Sequence, residues 1–370
     1  MTLTYILVFI AAAFLLGFLR PVRWRQAALL VASVLAVYSL QPSLPVRGLD
    51  FYLPTATLGL TVALWVLTTP RAERAWRANL WALALLVGLV VFLGLTRFLD
   101  LPLALTASRP PQFLRVITFL GISVLLILAL AHWTFPGRLA LAGAVILLLV
   151  LFVILKVPFL SLQVSLFLRS INEQSSATAS ALDLRWLGFS YIAFRLLHTV
   201  RDRQSGRLPI VSLAEFVIYV IFFPALSAGP IDRLERFVGD LRRPFQRSVE
   251  DIGEGGRRVL VGMFKKFAVA DTLSLIALNE VNAAQVNGAI WGWILLYAYA
   301  FQIYYDFSGY TDIAIGLGRL MGFKLPENFN APYLKPNLTQ FWNNWHMTLT
   351  QWFRAYFFNP LTRALRSLQR

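Results

Sequence analysis

A chain of 370 residues in which 58% are apolar and only 14% charged, with a mean hydropathy of +0.65, is not an ordinary soluble domain, where about a quarter of residues carry charge. The net charge of +16 would suit nucleic acid, but the basic residues fall in short clusters between apolar runs, so they read as membrane-surface loops and not as a nucleic-acid face. Cysteine is absent, which excludes disulfides, thiolate metal sites and a cysteine nucleophile, and having only three histidines, His132, His198 and His346, argues against a multi-histidine metal centre.

The first apolar stretch, Tyr5 to Leu19, lacks a preceding basic region and a convincing cleavage site, so it is expected to be a retained span and not a signal peptide. Further spans are predicted over Gln26–Leu40, Phe51–Leu67, Leu80–Leu95, Phe113–Trp133 and Leu139–Leu155, each near the ~20 residues a helix needs to cross hydrocarbon. These make residues 1–165 an N-terminal scaffold. Arg20, Arg23 and Arg25 follow the first span and Arg71, Arg74 and Arg77 the third, whereas the loop between them has only Arg47 with Asp50. Basic loops stay cytoplasmic, so the N-terminus is predicted to face outward, although Arg109 and Arg115 add charge to a loop that this scheme places outside. Trp24, Trp65, Trp76, Trp81 and Trp133 fall near span ends as interfacial rings do, and His132 reads as such an interfacial residue.

From about Leu166 the character changes, and residues 166–370 are read as a second region. Arg169 to Ser176 is polar and loop-like; Leu187–Val200 carries Arg195 and His198 in a segment too polar to face lipid, so these face a bundle interior, a cavity or an interface. His198 either lines a cavity or is an interfacial residue leading into Arg201-Asp202-Arg203. Leu213–Leu226 is apolar, ends at Gly229-Pro230, and lies between basic segments that both prefer the cytoplasm, which fits a re-entrant segment as well as a spanning one. Trp291–Tyr305 is read as a helix broken by Asp306-Phe307-Ser308-Gly309-Tyr310-Thr311-Asp312 before Ile313–Met321. The two carboxylates there suit either a proton relay or a cap, with Asp306 or Ser308 as N-cap and Asp312 in the first turn.

The densest stretch is Phe341 to Arg354. At about 100° per residue, Phe341, Trp345, Leu349, Trp352 and Tyr356 form one apolar stripe, and Trp342, His346, Thr350 and Phe353 the strip beside it. His346 thus sits where apolar packing gives way to Asn343 and Arg354, a place for a partly dry titratable group. Asn337 or Thr339 supplies a start signal and Asn359-Pro360 a stop. On periodicity alone the imidazole reads more readily as a packed, hydrogen-bonded residue than as a catalyst.

The wording Phe341-Trp342-x-x-Trp345-His346-Met347-Thr348-Leu349-Thr350-x-Trp352-Phe353-Arg354 resembles the signature of the membrane-bound O-acyltransferase family, in particular the bacterial branch concerned with D-alanyl transfer to teichoic acid and with alginate O-acetylation. Phe223 to Arg233 and Gln302 to Leu317 with Leu325 to Asn330 resemble further blocks of the family in the same order.

The resemblance implies an all-α, polytopic helical bundle of about nine to eleven membrane helices enclosing a funnel or tunnel in a bacterial cytoplasmic membrane. It also implies transfer of an acetyl or D-alanyl group from an acyl-thioester donor, free or on an acyl carrier protein, to a hydroxyl of an envelope polysaccharide or polyol. Membrane lipids and accessory envelope proteins are the other expected partners; no bound cofactor or metal is implied. His346 is the implied catalytic residue, with Trp342, Asn343, Trp345, Thr350, Asp306 and Ser308 as substrate-binding candidates. Two departures stand out. Relatives often read Arg-Asp-Tyr where this chain has Arg354-Ala355-Tyr356, and the family's second histidine, on a later helix in a Trp-His-Gly context and usually regarded as the main catalytic base, has no counterpart after His346, so the 370 residues by themselves are expected to have little or no transferase activity. Truncation before the last helices is the favoured explanation. A non-catalytic scaffold or conduit, and a transporter, are the alternatives.

Overall fold

The computed structural model describes residues 2–19, 21–99, 105–132, 137–244 and 247–368; Arg20 and Trp133, which the topology argument uses, lie outside the described residues. Every regular element among the described residues is helical. In chain order the helices are α1 (Leu3–Leu16), α2 (Val22–Leu40), α3 (Leu49–Thr68), α4 (Trp76–Leu95), α5 (Phe113–His132), α6 (Gly137–Lys156), α7 (Pro158–Ile171), α8 (Phe189–Gln204), α9 (Leu213–Val220), α10 (Leu234–Arg242), α11 (Val249–Met263), α12 (Asp271–Ser274), α13 (Glu280–Ala284), α14 (Ala289–Leu320), α15 (Leu338–Asn344), α16 (Met347–Phe353) and α17 (Asn359–Leu368). They form two compact units. The first holds 21–227 and 233–242, the second 2–20, 228–232 and 243–370. The compositional change near Leu166 therefore falls inside the first unit.

Among the described residues four helices are long and apolar enough to cross a membrane: α3, α4 with the turn after it to Phe98, α5 and α6. They match the predicted spans to within a few residues, because an uninterrupted apolar run has no other way to satisfy its backbone in hydrocarbon. Their surroundings differ. The apolar window of α3 is 67% buried and that of α5 only 6%, so α3 is the interior span of its unit while α5 keeps its apolar surface outward. α1 is 14 residues, about 21 Å, and falls short of the span expected there.

α9 occupies the middle of the first unit, packed on α2, α3 and α4, with all eight residues buried. At about 12 Å it cannot cross a ~30 Å hydrocarbon core. Its start is over-determined: Ser212 and Glu215 form a capping box, Asn79 accepts from the Leu213 amide at 2.7 Å, and Glu215 binds Arg242 at 2.7 Å. The paired guanidinium and the cap hold the Glu215 carboxyl below its usual range against the opposing effect of burial.

Beside α9, Arg195 and His198 of α8 are accounted for by packing. Arg195, 2% exposed, donates to the carbonyls of Val220 at 2.8 Å and Ala225 at 2.7 Å, closing the end of α9 and the turn after it. His198, 1% exposed, lies against the Tyr219 hydroxyl at 3.2 Å in the interior of its unit.

Three expectations are corrected here. Arg169 to Ile171 is the last turn of α7, not a loop: Arg169 is buried and paired with Asp183 at 2.8 Å, and Ser165 donates to the same carboxylate at 2.6 Å. The predicted break at Asp306–Asp312 does not occur. α14 runs unbroken for 32 residues, about 48 Å, so neither Asp306 nor Ser308 caps a helix. The carboxylates are satisfied sideways: Lys266 binds Asp306, and Lys265 (2.6 Å) and Arg258 bind Asp312. Finally, Asn359-Pro360 does not stop its helix, because a π-helical turn over Arg354–Phe358 widens the backbone and the chain continues as α17.

The second unit is built on the pair α11 and α14, which run antiparallel at backbone contact. Gly255 and Gly262 on α11 face Gly316 and Gly309 on α14, seven residues apart on each helix. The π-helical stretch Phe264–Ala270 extends α11 and turns Lys265 and Lys266 toward different carboxylates of α14. α1 packs on α14, with the Arg247 guanidinium against the rings of both Phe14 (4.7 Å) and Phe18 (4.5 Å).

Candidate active site

The predicted continuous helix through His346 is two helices. Asn337 does start α15, accepting from the Gln340 amide at 2.9 Å, but α15 ends at Asn344, Trp345 turns extended, and His346 stands in the left-handed region at φ 43°, ψ 53° as the residue before α16. A non-glycine residue held there costs of order 1–2 kcal/mol, and histidine, with asparagine and aspartate, is among the side chains found there most often. The break rotates Trp345 and His346 out of the stripes that a straight helix would give them. His346 keeps its helical duty through its carbonyl, which accepts from the Leu349 and Thr350 amides.

What holds the break is a hydrogen-bonded latch that joins three distant stretches. The Ile231 amide donates to Thr348 Oγ1 at 3.1 Å, and Thr348 Oγ1 donates to Asn328 Oδ1 at 2.6 Å. The Asn328 carbonyl accepts from the Met347 amide at 2.9 Å, and the Asn330 amide donates to the Asn344 carbonyl at 3.0 Å. Asn328 is fully buried, and its amide nitrogen reaches Thr311 Oγ1 on α14 at 3.4 Å. The segment 228–232, the loop 325–330 and the start of α16 are therefore one construction.

The imidazole stands edge-on to the ring of Phe307, centroids 4.7 Å apart at 87°. Below it Trp345 is the hub of an aromatic cluster, 5.1 Å from Phe329, 5.5 Å from Phe341, 5.8 Å from Tyr333 and 6.0 Å from Tyr304. This apolar shell, outside the four candidate spans, lowers the His346 pKa to about 4 by burial. The ring is thus neutral at physiological pH and able to accept a proton.

The candidates from sequence separate into two groups. His346 and Trp345 belong to the cluster, and Thr350 closes the turn by donating to the Trp342 carbonyl at 3.2 Å. Trp342 is 56% exposed, and Asn343 accepts from Arg354 at 3.0 Å on an exposed face. Asp306 is turned into its ion pair with Lys266, and Ser308 is buried in α14 one position from the Gly309 contact. Neither is held against the imidazole: Phe307, the residue between them, takes that place. Sequence reasoning assigned no role to Asn328, Thr348 or Phe307. Asn328 carries one usable signal, since it lies in the stretch Leu325 to Asn330 whose wording resembles the family's.

Removing the latch should show in both stability and rate. Asn328→Ala is expected to lower stability by about 1–2 kcal/mol, since it strands the Thr348 hydroxyl and the Thr311 side chain. Turnover of any reaction at His346 should fall about tenfold with little change in KM, as a misplaced catalytic group loses transition-state contacts first. Detergent-phase thermal unfolding and steady-state kinetics check the two parts, and an unchanged kcat would mean that the latch does not position the imidazole.

Residues 134–370 match the profile of the membrane-bound O-acyltransferase family. Curated relatives include a teichoic acid D-alanyltransferase of Bacillus subtilis, 33% identical over 178 residues, or 47% of this chain and 45% of that protein. A probable alginate O-acetylase of Pseudomonas aeruginosa is 38% identical over 176 residues, covering 47% of this chain and 34% of the relative. A peptidoglycan O-acetyltransferase of Helicobacter pylori is 35% identical over 175 residues, covering 44% and 33%. The matched stretch spans less than half the length of each of these relatives. With its family match covering well over half of its own residues, the chain belongs to the membrane-bound O-acyltransferase family.

Proposed function

We propose that this protein transfers a short acyl group, acetyl or D-alanyl, from a thioester donor to a hydroxyl of a cell-envelope polysaccharide or polyol. The observation that carries the reading is a neutral, largely buried imidazole set at a strained helix break and held by a dedicated latch, on a chain whose family and relatives are acyltransferases. In the reaction the acceptor O–H attacks the thioester carbonyl, and His346 takes its proton as the C–O bond forms. The tetrahedral intermediate then expels the thiolate with cleavage of the C–S bond, and the proton passes from the imidazolium to the leaving sulfur. A dry surround serves this chemistry because a thioester is activated yet hydrolysable. The reaction as written needs no metal or redox cofactor.

The remaining parts of the proposal are a bundle of about nine to eleven membrane helices around a tunnel, an acyl carrier protein or free thioester as donor, accessory envelope proteins as partners, and residence in a bacterial cytoplasmic membrane. Membranes containing the protein as its cell makes it, given labelled acetyl- or D-alanyl-thioesters, should incorporate label into envelope polymer as a hydroxylamine-labile ester. Solute uptake without ester formation would replace the transferase by a transporter.

The N-terminus is placed outward and the Arg71–Arg77 loop inward, on the alternation of basic loops. Because the chain has no native thiol, Thr2→Cys and Ala75→Cys variants report orientation directly. An impermeant thiol reagent on intact cells should label the Thr2→Cys protein and spare the Ala75→Cys protein. The reverse pattern would invert the topology.

A further inference from the structure

The first unit contains a groove of about 770 Å³ that the acyl-transfer chemistry does not use, lying between α3, α5 and α6. One wall is α3, through Leu60, Leu64 and Leu67. The facing wall is α6, where Ala140, Gly143 and Ala144 succeed one another at i, i+3 and i+4 as a small-residue strip flanked by Leu139, Leu141 and Leu147. A Cβ placed on Gly143 meets no atom within 4 Å, so at this position the small-residue row is not filled by α3, although the two helices approach one another elsewhere. It leaves a slot instead. The slot has the volume of a ligand site, about 300–1,000 Å³, and its apolar walls offer water no partners.

One end of the slot is different in kind. It is closed by Thr69, Pro70 and three guanidinium groups, Arg71, Arg74 and Arg203, and no carboxylate occurs among the described residues that line it. The three are not equivalent. Arg74 is only 8% exposed and is consumed by the backbone, donating to the carbonyls of Val66 (2.9 Å), Thr69 (3.2 Å) and Ala131 (2.9 Å), so it ties the ends of α3 and α5 together. Arg71 sends one amino group to the His132 carbonyl at 3.0 Å, at the C-terminal end of α5. Arg203, in the last turn of α8, has no carboxylate within ion-pair distance among the described residues; its neighbour Asp202 is paired with Arg207 at 3.3 Å. Positive charge therefore gathers at the mouth of an apolar slot between membrane-length helices, where an acyl chain and an anionic head group would each meet their complement.

We propose that this groove holds one acyl chain of an anionic glycerophospholipid, with its phosphate against Arg71 and Arg203. The bound lipid fills the slot between α3 and α6 and neutralises the basic mouth, so it is a structural component of the unit and not the acyl donor.

The test uses the full chain in detergent, with phosphatidylglycerol, phosphatidylcholine of the same chains, and glycerol phosphate as the head group alone, followed by native mass spectrometry. Phosphatidylglycerol should be retained at a concentration at least about tenfold below phosphatidylcholine, since each basic residue at such a surface contributes about fivefold. Arg203→Gln should cut phosphatidylglycerol retention about fivefold and leave phosphatidylcholine unchanged. Gly143→Leu fills the slot without a backbone clash and should reduce retention of both lipids; Ala140→Ile serves in its place if that variant loses its helical circular dichroism. Equal retention of the two lipids, undiminished phosphatidylglycerol on the slot-filling variant, or its displacement by glycerol phosphate at similar concentration would each overturn the proposal.

Discussion

Replacing His346 by Asn should lower acyl transfer by about 10²–10⁴-fold, about 3–5 kcal/mol of barrier, in the protein as its cell makes it. Asn is the informative substitution because the position is left-handed, a conformation that asparagine tolerates as histidine does, so the break between α15 and α16 is preserved. Gln keeps the size of the ring and also removes basicity, but its side chain suits the left-handed region less well, so His346→Gln should lose a comparable rate and, in addition, up to about 1 kcal/mol of stability. His346→Gly should be the converse case, relieved of strain and equally inactive. His132→Gln and His198→Gln are the controls. The first removes an exposed ring; the second empties a buried site against Tyr219 and should cost stability more than chemistry.

The pH dependence follows from the same burial. With the imidazole pKa lowered to about 4, the acid limb of the rate profile should have its midpoint near 4 in place of the 6.5 of a solvated histidine. As pH falls from about 6.5 to 4 the unfolded chain binds a proton that the folded one refuses, so this group's contribution to stability declines with falling pH across that window. A His346→Asn protein that folds and turns over at the parent rate would reduce the imidazole to a packing residue.

The second large effect is expected where α11 and α14 touch. A Cβ on Gly262 would lie 2.6 Å from the Gly309 carbonyl oxygen and 2.8 Å from the Ile313 amide nitrogen, and one on Gly309 would lie 2.7 Å from the Gly262 oxygen. These obstacles are backbone and cannot swing aside, so Gly262→Ala or Gly309→Ala must force the helices apart. The expected cost is about 1–3 kcal/mol, larger for Val. Separating the helices also lengthens the reach from Lys265 and Arg258 to Asp312, whose carboxylate is buried and needs them. Gly253→Ala and Gly256→Ala, on the same helix with no atom within 4 Å of the added methyl, should instead be neutral or stabilising by up to about 1 kcal/mol through helix propensity. Because Gly262 and Gly309 share one contact, the double Ala variant should cost less than the sum of the singles. Resistance to thermal or detergent unfolding would measure all five, and equal behaviour of contact and control glycines would remove the close approach from the account.

Membrane character, the positions of α2 to α6 and the family likeness around His346 were all legible in the chain itself. Long apolar runs have one backbone solution in hydrocarbon, and a Trp-His pair in that particular wording is rare enough to carry a family likeness. The course of α14 was not legible. A stretch with two carboxylates, a serine and a glycine reads as a helix break unless one knows that Lys265, Lys266 and Arg258, some 40 to 54 residues earlier, stand opposite to pair with the acids and that Gly262 stands opposite to receive the glycine. The spacing of glycines by seven on both helices was the one local sign of that contact, and it means little until the two helices are known to be partners. The geometry at His346 was equally a matter of tertiary structure. Periodicity assumes a straight helix, and nothing local to Trp345 and His346 forces a break; the latch through Asn328, Thr348 and Ile231 does so with hydrogen bonds between residues 20 and 117 positions apart, which no window along the chain can contain. Composition and pattern thus determined what must be buried and which side chain to propose for the chemistry, whereas the strained turn at that side chain depends on contacts that exist only once distant segments have met.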